Sequence, residues 1–182
     1  MIGLHVDVAD LTALGAEFGA SEAQIRAAAN RALGRTVRAV RTRARTSLRL
    51  QMGLAAAKYL KRRISAVRAR GAGGLGTAEV WIGRNDMLPE AFRGRPRQGA
   101  RGVTVRGDLF EGAFLARDTN GVVRVFERVG RARLPIERVT VPVGDEMSEI
   151  LEDQVFDEVA GIFWKNFRAE LRARTIYGVG GR

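Results

Sequence analysis

The 182 residues suffice for one domain with short extensions, and an apolar share of 46% supplies material for a real core, which argues against native disorder. Thirty-one Lys and Arg against twenty Asp and Glu leave a formal charge of +11, which favours a polyanionic partner, although an Arg bias beside abundant Ala, Gly and Val also follows from a GC-rich genome. With no cysteine, disulfides and thiolate chemistry are excluded; no stretch nears the roughly twenty apolar residues of a membrane span, and the first ten residues lack the basic head and apolar run of a secretory signal, so residence in the cytoplasm or in a particle assembled there is expected.

In chain order, residues 1–20 form a mixed segment in which Leu4, Val6 and Val8 alternate with polar neighbours, a pattern for a brief strand. Ser21 and Gln24 have capping-box spacing and predict a helix start. Apolar or small residues from Ile25 through Ala29, Val37, Val40 and Ala44 to Leu48 then recur at helical spacing as far as about Leu50. At about 100° per residue, Arg31, Arg35, Arg38, Arg45 and Arg49 fall within an arc of about 80° opposite that stripe, giving one cationic face. Gly53 is the expected end cap, and Leu54 to Arg63 reads as a second short helix with Lys58, Lys61, Arg62 and Arg63 near its end, closing a basic helical region at 21–63.

A β region follows at 64–142. Ile64 to Arg70 and Glu79 to Gly83 predict a hairpin turning through the Gly-rich run Gly71 to Gly76. The stretch 84–102 has Pro89, Pro96 and several glycines beside Arg93, Arg95, Arg97 and Arg101, and predicts a long basic loop. Val103 to Val105 is a further strand; Phe110 to Arg117 and Val122 to Arg128 flank Asp118-Thr119-Asn120-Gly121 as a hairpin; and the proline-bounded segment from Pro135 to Pro142 predicts an edge strand or an arm paired with another chain. From Asp145 to Arg174 the apolar residues Met147, Ile150, Leu151, Val155, Val159, Phe163, Phe167 and Leu171 predict one long helix, acidic at its start and basic at its end, within a C-terminal region at 143–175 that leaves 176–182 as a tail. Helix, strands, helix suggests an α+β fold, two long helices on a mostly antiparallel sheet.

Catalytic constellations are scarce. His5 is the sole histidine, so a Ser-His-Asp site would rest on a residue at the chain's edge. The carboxylates Glu149, Asp153 and Asp157 stand one helical turn apart, as on a solvated face, and the glycines from Gly71 to Gly76 lack the Lys-Ser or Lys-Thr step of a phosphate loop. No cofactor or metal is therefore expected, and Asp108 with Glu111 is the carboxylate pair left for a nuclease reading. The Arg stripe and the Arg loop could neutralise DNA phosphates without reading sequence, or could equally be solvated surface or subunit contact. The last helix shows Phe156, Phe163, Trp164 and Phe167 on more than one side, which suggests burial in a subunit interface.

Four segments occur in an order that resembles the phage minor tail protein Z family: Ala32 to Thr36, Val80 to Gly83, Gly112 to Ala116 and, most specifically, Val125 to Ile136. The resemblance spans about Ser21 to Leu171. It implies a non-enzymatic virion protein that completes the head-proximal end of a long tail as a ring, expected to be a hexamer, and helps the genome end enter the tail. Its implied partners are further copies of itself, the tail terminator, the tail tube and the head–tail connector, with non-specific contact to double-stranded DNA and none to membrane. Within that picture Val125, Phe126, Arg133, Leu134, Pro135, Ile136, Phe163, Trp164 and Phe167 are expected at subunit interfaces, and the basic residues named above at DNA or an interface. A tail terminator, a head–tail joining protein and a free DNA-binding protein are the alternatives. The charge is uneven in a way that suits unlike neighbours: twenty basic and seven acidic residues up to Arg106, eleven and thirteen from Gly107 onward.

Overall fold

The structure is a computed structural model describing residues 7–69 and 75–178. It is an α+β fold: helices α1 (Val8–Glu17), α2 (Glu22–Gln51), α3 (Gly144–Leu151) and α4 (Val159–Thr175) pack with three small antiparallel sheets. The sheets are the hairpin β1 (Ile64–Ala69) with β2 (Thr77–Ile82), the triplet β3 (Arg97–Gln98), β4 (Gly102–Val105) and β5 (Asp108–Glu111), and the triplet β6 (Phe114–Arg117), β7 (Val123–Arg128) and β8 (Ile136–Arg138).

Helix α2 organises the molecule. Its start is the expected capping box: Gln24 N–H donates to Ser21 Oγ and Ser21 N–H donates to Gln24 Oε1. It ends where Gly53 takes φ 63°, with Gly53 N–H bonded to the Leu50 carbonyl and Leu54 N–H to that of Arg49, the paired bonds of a Schellman cap. Two clusters of buried side chains lie along this helix. The first half of α2 gives Ala28, Ala29 and Ala32 to a cluster completed by Leu11 of α1 and by Phe163, Phe167 and Leu171 of α4. The second half gives Val37, Val40, Ala44 and Leu48 to a larger cluster that gathers the strands and α3.

Several expectations change. No strand begins at Val8: Asp7 Oδ1 accepts the Ala9 N–H and opens α1, whose Leu11 and Leu14 reach the first cluster; Leu4 and Val6 lie outside the described residues. Leu54 to Arg63 holds only one 3₁₀ turn, Ala57–Leu60, because Leu54 pairs with Phe92 instead of continuing a helix. The predicted strand from Phe110 to Arg117 divides at Gly112 and Ala113, giving β5 to one sheet and β6 to another. The hairpin keeps its flanking register, Ile64 opposite Ile82 and Ser65 opposite Trp81, while residues 71–74 of the expected turn lie outside the described residues. The long C-terminal helix is two helices joined by a wider π turn at Glu152–Phe156. Segment 84–102 is no free loop: Met87, Ala91 and Phe92 are buried, and Met87 exchanges both backbone hydrogen bonds with Val141. The edge strand β8 pairs with β7 of its own chain.

Candidate interaction surfaces

The predicted Arg stripe of α2 is not one free surface. Arg35 Nη2 and Arg31 Nε lie 3.0 and 3.9 Å from the carboxylate of Glu170, a residue only 3% exposed on α4. The same carboxylate takes Arg174 from one turn further on, and Asn166 donates to Thr36 beside it. Desolvating this acid is tolerable because guanidinium groups surround it, so Arg31 and Arg35 clamp α2 to α4. Arg45 reaches the carbonyls of Lys61 and Ile64 at 3.3 and 3.1 Å, and thereby ties α2 to the entry of β1. Among the described residues, Arg38 and Arg49 remain exposed without an ion pair.

The arginines of segment 84–102 do face outward. Its buried side chains and two backbone bonds, Arg93 N–H to Gly53 and Ala55 N–H to Ala91, fix the path of the chain. Arg93, Arg95 and Arg97 stand exposed on that anchored base, and Arg101 lies 3.9 Å from Glu111 with both side chains largely in solvent. The opposite charge collects on α3, the π turn and the residue after it, where Asp145, Glu149, Glu152, Asp153 and Asp157 are exposed with no ion pair among the described residues. Asp108 and Glu111 occupy two ends of the short strand β5, and no group of three acidic or His side chains that could hold a metal exists among the described residues.

The third sheet is locked from within. Arg124 bridges Asp118 and Glu90 at 3.2 and 3.1 Å, and Arg138 closes on the same Glu90. In the turn after β6, Asp118 Oδ1 accepts the N–H groups of Asn120 and Val122; these bonds, that from Val122 foremost, and Arg124 hold its carboxyl below the usual Asp range. Residues 2–176 match the family model described as prophage minor tail protein Z. The chain belongs to that family. No curated protein and no solved structure matches it. As a member of the minor tail protein Z family it is a structural component of a phage tail.

The interface residues expected in this tail protein divide sharply. Phe163 and Phe167 are fully buried, their rings stacked 5.9 Å apart in the chain's own first cluster, and Trp164 packs edge-on at the margin of that cluster; the aromatic width of α4 is taken up by α1 and α2. Val125 is buried under the third sheet and Phe126 half-buried, stacked on Phe114. Arg133, Leu134, Pro135 and Ile136 are all exposed. Glu170 and Glu90, which hold the structure together, were not singled out from the sequence. Glu170 had a signal, being the one acidic residue between Val159 and Thr175.

Proposed function

We propose that this minor tail protein is a tail completion subunit, a ring former at the head-proximal end of the tail whose basic loop faces the genome. The observation that carries this reading is the pair of unlike charged surfaces on one subunit. Exposed, unpaired cations stand at Arg93, Arg95 and Arg97, and exposed, unpaired acids on α3 and the π turn. Unlike surfaces joined in head-to-tail order close into a ring when the rotation between neighbours divides a full turn, and a six-fold tail asks for six copies. Cations left over would line the passage that DNA crosses. The output of such a subunit is contact, and no catalytic step enters the reading.

Imaging of particles carrying a labelled chain, with native mass spectrometry of the purified protein, tests this. Label at the head-proximal end and one closed stoichiometry are expected. Label at the far tip of the tail overturns the placement. The cluster of free arginines also favours a second reading, a free non-specific DNA-binding protein, which is distinguished by tight, steeply salt-dependent binding of duplex DNA by the monomer with no ring at any concentration.

A further inference from the structure

From Met147 to Leu171 every fourth residue is buried, so α3, the π turn and α4 turn one continuous row toward the core. Residues two places off that row stand about 200° round the helix and face away from it. Those from Glu149 through Asp153, Asp157 and Gly161 to Lys165 are all exposed. Arg168 and Arg172, also exposed, extend the outward row, and with Gly161 and Lys165 they line one groove on α4. At about 100° per residue, and less through the π turn, the six charged residues share about a quarter of the circumference. The outer face therefore carries three acids, then a glycine, then three bases, over about 35 Å.

Like charges one turn apart repel, and among the described residues no ion pair relieves any of the six; Arg172 alone has a neighbour, the Phe18 ring at 6.0 Å. The helix dipole favours acids in a first turn and bases in a last one, but that effect fades within a turn and does not reach Asp153, Asp157 or Lys165. The acids that serve the fold lie off this row: Glu146 pairs with Arg106, Glu158 with Arg43 and Glu170 with Arg174.

Turned end for end about an axis at Gly161, the row matches itself. Asp157 comes opposite Lys165, Asp153 opposite Arg168 and Glu149 opposite Arg172, and the two-fold axis makes each pair twice. Gly161 lies at the crossing, where the lack of a side chain lets two helix axes approach to about 8 Å. A parallel neighbour shifted along the row leaves half of the charges uncovered. We propose that the free chain pairs with a second copy through this face, as an antiparallel dimer about a two-fold axis at Gly161. A strip of this length and about 12 Å wide covers about 400 Å² on each copy, the size of a transient contact. The pairing goes beyond the ring reading and does not rest on it. Because it covers Glu149, Asp153 and Asp157, the pair opens before those acids meet any other neighbour.

The chain has no cysteine of its own, so introduced ones read the pairing directly. On the axis, Gly161 and its copy come within the Cα separation of about 7 Å that a disulfide allows. Gly161→Cys is expected to give a disulfide dimer under mild oxidation. Ala169→Cys, exposed but two turns or about 12 Å from the axis, is expected to give at least about tenfold less. Two further variants carry Gly161→Cys with one half of the row reversed: Glu149→Lys, Asp153→Lys and Asp157→Lys in one, Lys165→Glu, Arg168→Glu and Arg172→Glu in the other. With circular dichroism to verify each fold, either alone should lose the cross-link at least about tenfold, and a mixture, one partner carrying a size tag, should regain it as a mixed dimer. Equal yields from Gly161→Cys and Ala169→Cys overturn the proposal, and this comparison decides alone where a reversed variant is unfolded. Full cross-linking by a folded reversed variant on its own, or no mixed dimer from two folded ones, overturns it too. Larger assemblies of the wild-type chain without the Gly161 cross-link overturn the pairing and leave the ring reading standing.

Discussion

Glu170 shows how much one side chain can decide. It is an acid buried to 3% exposure, and its nearest cation, Arg174, is itself only 9% exposed. Replacing Glu170 by Ala leaves that guanidinium buried without its counter-charge, which costs about 3 to 5 kcal/mol. Arg31→Ala removes only a partner 3.9 Å away that is mostly in solvent, so the loss is under about 1 kcal/mol. Urea melts of the two variants should therefore separate widely, and equal midpoints would mean that the carboxylate is not what joins α2 to α4. Asp118 makes a different prediction, in pH. Its folded carboxyl is held below the usual Asp value of about 3.9 by the Val122 and Asn120 N–H groups and by Arg124. A depressed folded pKa means a contribution present in full above the unfolded value and lost as pH falls through the folded one. The turn should thus persist through mild acid and fray only below the ordinary Asp range, as followed by the amide shifts of Asn120 and Val122; fraying already at pH 5 would contradict the geometry.

Among the elements, the β4–β5 hairpin depends on one missing side chain. Gly102 sits opposite Glu111 with φ 156°, and a Cβ there would lie 2.0 Å from the Phe110 carbonyl oxygen, a backbone atom that cannot rotate away. Gly102→Ala should push the strands apart and expose Val103, which is wholly buried. A drop in melting temperature of more than about 4 °C is expected, about what 1 to 2 kcal/mol produces at this chain length. Elements whose signal is local were legible in the sequence: Ser21 with Gln24 opens α2, Gly53 closes it, and Asp118 to Gly121 turns β6 into β7. The break in the last helix was also written there, though less openly. From Leu151 the buried residues Val155, Val159, Phe163, Phe167 and Leu171 step by four, which in a straight α-helix drifts by about 200°. A wider π turn absorbs part of that drift, and the crossing of α4 over α2 along its i, i+4 ridge accommodates more. What no local pattern could supply was the partner of each face. Phe163 and Phe167 look alike to the sequence whether they fill an interface or a core, and only the position of α1, which takes Val8 into a helix where a strand is expected, decides between them.

At the scale of the whole molecule the question is what the surplus of positive charge does once internal pairs have taken their share. Arg31, Arg35, Arg45, Arg124, Arg138 and Arg174 serve the fold through the carboxylates and carbonyls given above, and Arg43 and Arg106 do so through Glu158 and Glu146. Net charge alone therefore overstates the cationic surface on offer, and the segment 84–102 matters because three of its five arginines, Arg93, Arg95 and Arg97, stand free on an anchored base. If Arg93, Arg95 and Arg97 each neutralise one phosphate, the logarithm of DNA affinity against the logarithm of salt concentration should carry a slope of about −2.7 from these three. The triple reversal to Glu should flatten the measured slope by at least that amount and lower DNA retention in assembled particles, with the melting temperature unchanged because none of the three side chains has a partner among the described residues. Reversal of Arg31 and Arg35 should do the opposite, lowering stability through Glu170 while moving the salt slope little. If the two pairs of outcomes are exchanged, the division of arginines between fold and surface is drawn in the wrong place, and the genome-facing side of the subunit lies along α2.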